Sequence, residues 1–365
     1  MRILIDIGHP AHVHYYRNLA NELIAKNHTV FWSVKEIDVA RRLLDYYGFK
    51  YFILPKKSDS LCGKAWRQMQ YDYIILKFCL QKKIDIAIGT SVSVAHVSKV
   101  SRVCSVVFDD DDDEVQPLVT RFVNPFADYL ISPGAIKRRR KDTIYYPGYQ
   151  ELAYLHPLRF RPDISILQEV GVSPGTPYFV MRFNAFKAHH DVGVKGLSIT
   201  QKKDLVELLS HHGRVFITTE RDIDPEFEKH RIRIGPEKIH SLIYYAKIFI
   251  GDSQTMTTEA ALLGTPAIKC NTFAGRLSVP NELENKYDMC YSFQPLAFDA
   301  MKAKIKELII KPGIKEEWLE KRRILLKDKI DLTSFMTWFI ENIPFSGASV
   351  HKLNMDFSRF ITPKA

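Results

Sequence analysis

This sequence predicts an α/β fold built from two doubly wound parallel sheets. Three observations carry the expectation. Short apolar, β-favouring runs alternate with helical periodicity twice along the chain. A proline-punctuated stretch separates the two series. The chain has 365 residues, more than one ordinary compact core holds and comfortable for two domains.

The first series of strands is expected at 3–7, 29–33, 50–54, 84–88, 103–108 and 129–132, with helices between them, for example over 12–26, 39–47 and 64–82. The second is expected at 178–183, 215–219, 248–250 and 266–269, again with helical segments such as 201–212. Between them, 145–162 contains Pro147-Gly148, His156-Pro157 and Arg161-Pro162 and reads as an interdomain linker. Helical patterns close the chain at 298–309, 315–327 and 332–340. The tail after Pro344 has no period. The expected domains are 1–150, 151–335 and a terminal helix end and tail over 336–365.

Composition narrows the class. The chain is 46% hydrophobic and 26% charged, as a globular protein is. No apolar run approaches the length of a membrane span, and the opening MRILIDIGHP is already a strand. A cytoplasmic location is therefore expected, with peripheral membrane contact left open. The five cysteines have no C-x-x-C spacing and read as reduced thiols. A net charge of +10 fits an anionic small substrate, an anionic surface or nucleic acid. The densest basic run, Lys137 to Lys141, lacks interleaved aromatics for base stacking and reads as a solvated helix face, so nucleic acid is not favoured.

In such sheets ligands bind at the C-terminal ends of the strands, here expected across a cleft between two facing domains. The loops after strands should carry the chemistry. The phrase Ile248 to Cys270 is the most informative: a strand, the turn Gly251-Asp252-Ser253, a short helix and a second strand. Ser253 is placed to N-cap that helix, whose first N–H groups and dipole suit a phosphate. Thr255 and Glu259 are four apart and share a face, so the Glu259 carboxylate could accept hydrogen bonds from ribose hydroxyls. Gly264 and Pro266 end the helix. The alternative is an ordinary βαβ unit with a capping serine and a solvated glutamate.

Gly8, His9 and His12 follow the first strand, where the histidines can titrate near neutral pH or simply cap and pack. Asp109 to Glu114 follows another strand. Its carboxylates could cap a helix expected from Val115, bind a divalent ion beside phosphates, or supply a general base through Asp112, Asp113 or Glu114. Arg182, Asn184, Lys187 and His189 lie after the first strand of the second half, with cations for a diphosphate and a histidine for proton transfer. Thr219 ends another strand and could contact the base or sugar. No G-x-x-x-x-G-K-[ST], G-x-G-x-x-G or H-E-x-x-H occurs, which weakens P-loop, dinucleotide and zinc-hydrolase readings.

Gly251-Asp252-Ser253-Gln254-Thr255-Met256-Thr257-Thr258-Glu259-Ala260, with Leu263-Gly264-Thr265-Pro266 after it, is similar to the D-S-G-G-x-x-E-E-A…L-G-x-P motif of UDP-N-acetylglucosamine 2-epimerases. It also resembles the corresponding part of glycosyltransferases of the GT-B class. Over roughly residues 1 to 340, the opening 6–16, the acidic run, 149–155 and 182–191 resemble the archaeal and bacterial family catalogued as domain of unknown function 354.

The resemblance implies a GT-B arrangement of two Rossmann-like domains. The first would serve acceptor and catalysis, the second would bind a nucleotide-sugar, and a C-terminal helix would cross back to the first. It implies a UDP-sugar substrate, a diphosphate held at Asp252, Ser253, Gln254 and Thr255, and ribose at Glu259. No cofactor is required, a divalent metal is not favoured, and a glycan or lipid-linked acceptor is open. Gln254 and Thr255 stand where the epimerases have two glycines, and Thr258 replaces their first glutamate. Their H-x-E-A-G loop has no clean counterpart, with Asp112 to Glu114 only roughly in its place. Three readings follow: a glycosyltransferase-like enzyme, a 2-epimerase-like isomerase, and a non-catalytic nucleotide-sugar or polyanion binder.

Overall fold

The computed structural model describes residues 1–56, 60–183, 196–219, 223–343 and 355–361. The chain forms two compact units, one of 1–159 with 328–365 and one of 160–327.

Seven strands build the sheet of the first unit: β1 Arg2–Ile7, β2 Thr29–Lys35, β3 Tyr51–Leu54, β4 Ile86–Ile88, β5 Cys104–Phe108, β6 Tyr129–Pro133 and β7 Ile144–Tyr146. Their order is β3-β2-β1-β4-β5-β6-β7, every pair parallel. The central strands are short and apolar because both faces of the sheet are covered there, while the edge strand β3 keeps Ile53 exposed. Ile3, Leu4 and Ile5 of β1 are wholly buried, each contributing about 1.5–3 kcal/mol over an exposed position.

The second unit carries β8 Tyr178–Arg182, β9 Arg214–Ile217, β10 Ile248–Gly251, β11 Ala267–Cys270 and β12 Cys290–Phe293. Their order is β12-β11-β10-β8-β9, also parallel throughout. Its core includes Phe179, Met181, Ile250 and Trp318.

Several expectations need correcting. The stretch 145–162 does hold the boundary between the two units, after Arg159, but most of it is part of the first unit: β7 joins the first sheet, and the helix Leu152–Leu155 is fully buried. Arg159 then forks onto Asp331 at 2.6 Å and also pairs with Glu22, which fastens this stretch within the first unit. The terminal helix Leu332–Asn342 belongs to the first unit, as the helix expected to cross back to it does, with Thr337 Oγ1 donating to Glu22 at 2.6 Å and Thr333 Oγ1 to the Ala153 carbonyl at 2.7 Å. The basic run forms no helix. Nor does a helix begin at Val115; the next one is Pro117–Phe122, capped by no carboxylate.

Cys79, Cys104, Cys270 and Cys290 are free thiols, each pushed up to about 12 by burial. The Cys62 side chain lies outside the described ones. No helix among the described residues is long and apolar enough to cross a membrane.

Candidate functional site

In the second sheet the order reverses between β8 and β10, and ligands of doubly wound sheets sit where the loops after two such strands diverge. Gly251 pairs there with Arg182. A Cβ at Gly251 would lie 2.5 Å from the Arg182 carbonyl oxygen, so the position admits no side chain. The Asp252 N–H donates to that same carbonyl at 3.1 Å, and Asn271 Nδ2 donates to the Asp252 carbonyl at 2.9 Å. These contacts fix the turn before the helix Gln254–Leu262.

Ser253 is the N-cap, extended at φ −78°, ψ 124°, and its hydroxyl accepts from the Met256 N–H at 3.4 Å. The turn therefore presents the start of a helix beside a strand-end arginine. Arg182, Thr219, Asp252, Gln254 and Thr255 are all half-buried at this end of the sheet. Thr218 Oγ1 is buried there without a hydrogen-bond partner. Lys202, a cation the sequence reading missed, is buried nearby with Nζ 5.2 Å from the centre of the Phe183 ring. Asn184, Lys187 and His189 lie outside the described residues.

Glu259 follows one turn into the helix and is 4% exposed. Its Oε1 lies 3.0 Å from Nε2 of His240, which is also buried. Thr255 and Glu259 share a helix face as expected, but the carboxylate is not solvated. The partner comes from the helix Ile239–Tyr245, nineteen residues earlier in the chain, so no local pattern pointed to it.

The first sheet reverses between β1 and β4. Gly8 follows β1, and its N–H donates to His12 Nδ1 at 3.3 Å; His9 caps the helix Pro10–Ala25 by accepting from the Ala11 N–H at 3.2 Å. With Nδ1 accepting, a neutral His12 carries its proton on Nε2 and presents a donor. Across the switch, Gly89 has φ +148°, and a Cβ there would lie 2.7 Å from the Asp6 carbonyl. Ser91 then caps the helix Val92–Val100, accepting from the Val94 N–H at 3.2 Å.

Ile88-Gly89-Thr90-Ser91 thus repeats Ile250-Gly251-Asp252-Ser253 in position at the reversal and in all but the third residue, Thr90 for Asp252. That repeat was visible in the sequence, and the reading of the loops passed over it.

The acidic run divides into structural and available carboxylates. Asp109 and Asp113 lie 3.0 and 2.8 Å from Nη1 of Arg138, a residue of the basic run whose side chain is 1% exposed. Asp113 also accepts from the Arg139 N–H at 2.9 Å, and Arg138 donates to Ser132 Oγ and to the Asp109 carbonyl. Arginine's planar fork suits a buried site with several acceptors. Asp113 is therefore held in a buried ion pair, while Glu114 is exposed and Asp112 half-buried.

Asp110 accepts from the Tyr15 hydroxyl at 3.5 Å, and the Tyr15 ring stacks on His12 at 5.9 Å. Burial, then the neighbouring carboxylates Asp111 and Asp109, hold Asp110 well above the usual carboxylate range. Burial and then Asp109 raise Asp111 to about 6. The carboxylates of Asp109, Asp110 and Asp111 come within 4.8 Å of one another and could share a divalent ion. Arg138 already neutralises one of them.

The family described as "Protein of unknown function (DUF354)" matches residues 1–296 of the chain. The uncharacterized protein MJ0665 of Methanocaldococcus jannaschii is 24% identical over 285 residues, covering 73% of this chain and 81% of that protein. Among solved structures, the UDP-GlcNAc 2-epimerase from Neisseria meningitidis bound to UDP-GlcNAc is similar with a TM-score of 0.63 at 11% identity. The match covers 92% of this chain and 100% of that one. The spinosyn forosaminyltransferase SpnP gives 0.64 at 15%, covering 93% and 99%. At such identities the likeness shows the fold, which is the GT-B-like α/β fold expected from the sequence.

Proposed function

The chain belongs to the family described as protein of unknown function DUF354, and from that premise we propose that it is a nucleotide-sugar-dependent enzyme of glycosyltransferase type with a UDP-sugar donor. The observation that carries the reading is the Gly251–Ser253 turn, which the Arg182 carbonyl pins and which delivers a Ser253-capped helix start beside Arg182. A diphosphate lying on that turn accepts from the first N–H groups of the helix, and Arg182 balances its charge. Glu259, oriented by His240, takes the ribose hydroxyls. As the bond from the anomeric carbon to UDP breaks, the negative charge that develops on the diphosphate is stabilised by this helix end.

The first unit supplies the acceptor-side groups. Asp111, raised to about 6, is ionised at neutral pH yet basic enough to take a proton from an acceptor hydroxyl as the new C–O bond forms. His12, a donor at Nε2 when neutral, orients that hydroxyl or its neighbour.

A 2-epimerase-like reading stands second. What favours it is the grouping of Asp110 with Tyr15 and His12, which could exchange a proton at the sugar carbon next to the anomeric centre.

A thermal-shift panel of nucleoside diphosphates and their sugars tests the shared premise, because a ligand that binds the native state raises the melting temperature. No shift with any UDP compound would remove it. Incubation with UDP-N-acetylglucosamine in deuterated water separates the two chemistries: deuterium enters the sugar in the epimerase and not in the transferase.

A further inference from the structure

Lys35 closes β2 two residues after Ser33, which pairs with Asp6 across β1 and β2, so its side chain leaves the same face of the first sheet. Its Nζ lies 5.2 Å from the centre of the buried Tyr71 ring. Gly8 follows β1 on that face. A Cβ built there would have His12 Cε1 at 3.8 Å, Lys35 Nζ at 3.9 Å and His12 Nδ1 at 4.0 Å as its nearest neighbours. Those are ordinary contacts, so space stays where a side chain would stand, and an ammonium and an imidazole bound it.

The ammonium has no counter-charge. Among the described residues Lys35 makes no ion pair; its one contact of that kind is with the Tyr71 ring. Asp6, the carboxylate on the same face, accepts from Ser33 Oγ at 2.6 Å and pairs with no cation. Arg67 stands one turn before Tyr71 on the helix Leu61–Lys82, close enough to act electrostatically on the Tyr71 phenol. Its Nη1 donates to Gln70 Oε1 at 2.6 Å, its Nε is buried without a hydrogen-bond partner, and among the described residues it also makes no ion pair. Two half-buried cations beside one tyrosine are costly to hold without an anion.

We infer that Lys35 and Arg67 form a subsite for a phosphate group carried by the acceptor, with the His12 ring beside it. A phosphate monoester bears nearly two charges at neutral pH and three strong acceptor oxygens. That matches two unpaired cations, where a carboxylate would leave one uncompensated. Lysine's three donors and arginine's fork both suit such oxygens. Held there, the acceptor lies against His12, the residue to which the transferase reading gives its hydroxyl. The word acceptor rests on that reading; the anion subsite stands on the geometry of the first unit alone.

The test is histidine-ring NMR on the full chain, with the His12 signal identified by its loss in His12→Asn. Methyl phosphate and inorganic phosphate, titrated at constant pH against sodium chloride of matched ionic strength, should each move that signal saturably. Acetate should bind at least about fivefold more weakly. Lys35→Met should weaken methyl phosphate about tenfold, and Arg67→Met should weaken it less. Both variants should melt near wild type, since neither cation sits in an ion pair.

No saturable response to either phosphate compound, equal binding of acetate, or an unchanged midpoint in Lys35→Met would overturn the proposal. A response to inorganic phosphate without one to methyl phosphate would assign the subsite to free phosphate and overturn its link to an acceptor. A chain whose melting temperature ignores UDP while its His12 signal follows methyl phosphate would overturn the transferase reading and still confirm the subsite.

Discussion

His240 Nε2 stands 3.0 Å from Glu259 Oε1, with side chains 2% and 6% exposed. A glutamate read from its motif as a ribose ligand is thus also one half of a buried pair, and truncating it tests two things together. Glu259→Ala should lower stability by about 2–3 kcal/mol, because His240 loses a buried carboxylate partner. Glu259→Gln keeps an acceptor at the same place and should melt close to wild type. If Glu259 holds the ribose, calorimetry should show the Gln variant binding UDP about tenfold more weakly. Unchanged affinity in that variant would leave the residue a packing role alone.

Arg138→Met should destabilise by about 3–5 kcal/mol, since Asp109 and Asp113 would keep buried charge without their cation. Scanning calorimetry should register a fall in melting temperature of roughly 6–20 °C. Arg138→Lys should rescue little of it, because a point charge cannot reach Asp109, Asp113 and Ser132 together as the fork does.

Asp111 titrates near 6 in the folded chain and at an ordinary 3.8 when unfolded. The native state therefore binds the extra proton between these values, and stability falls as pH rises through that window. What the group contributes is fully present below 3.8 and lost above about 6. Asp111→Asn should be neutral at the acid end. At pH 8 it should raise the melting temperature by roughly 2–4 °C, for about 1 kcal/mol after allowing for the residue's partial exposure. A variant that melts below wild type at pH 8 would contradict this assignment. If Asp111 is the acceptor's base, the same variant should also abolish transfer while leaving UDP binding intact.

Gly251→Ala puts a methyl group 2.5 Å from the Arg182 carbonyl. The clash should separate β8 from β10 at the proposed phosphate turn and cost about 1–3 kcal/mol. UDP affinity should fall further than in Ser253→Ala, which loses a cap worth about 1 kcal/mol. Isothermal titration of both variants orders the two effects; the reverse order would place the phosphate off the Gly251 turn.

Much of the fold was legible along the chain, for reasons that differ between elements. β1, β8 and β10 are apolar runs closed by glycine or polar turns, and the helix Gln254–Leu262 announces itself by Ser253 before it and Gly264 after it, at φ +73°. β7 was missed because it sits among prolines that favour a linker reading, and β12 because Cys290-Tyr291-Ser292-Phe293 is a mixed, half-buried run rather than a continuous apolar one. The capping role of Ser253 and the shared face of Thr255 and Glu259 follow from helical geometry and needed no tertiary information.

What the sequence determined by itself is the local grammar: which segments are strands and helices, which loops follow strands, and where a helix start is capped. These follow from backbone sterics and periodicity within a few residues. The tertiary structure decided the partners. Arg138 left an expected solvated helix face to neutralise Asp109 and Asp113, twenty-nine and twenty-five residues back in the chain. His240 took Glu259 out of water, and in the helix Leu61–Lys82 Tyr71, Ile75 and Cys79 went to the first sheet while Trp66 and Tyr73 stayed exposed. Burial and charge pairing depend on what the folded chain brings within a few ångströms, and spacing along the sequence does not encode that distance.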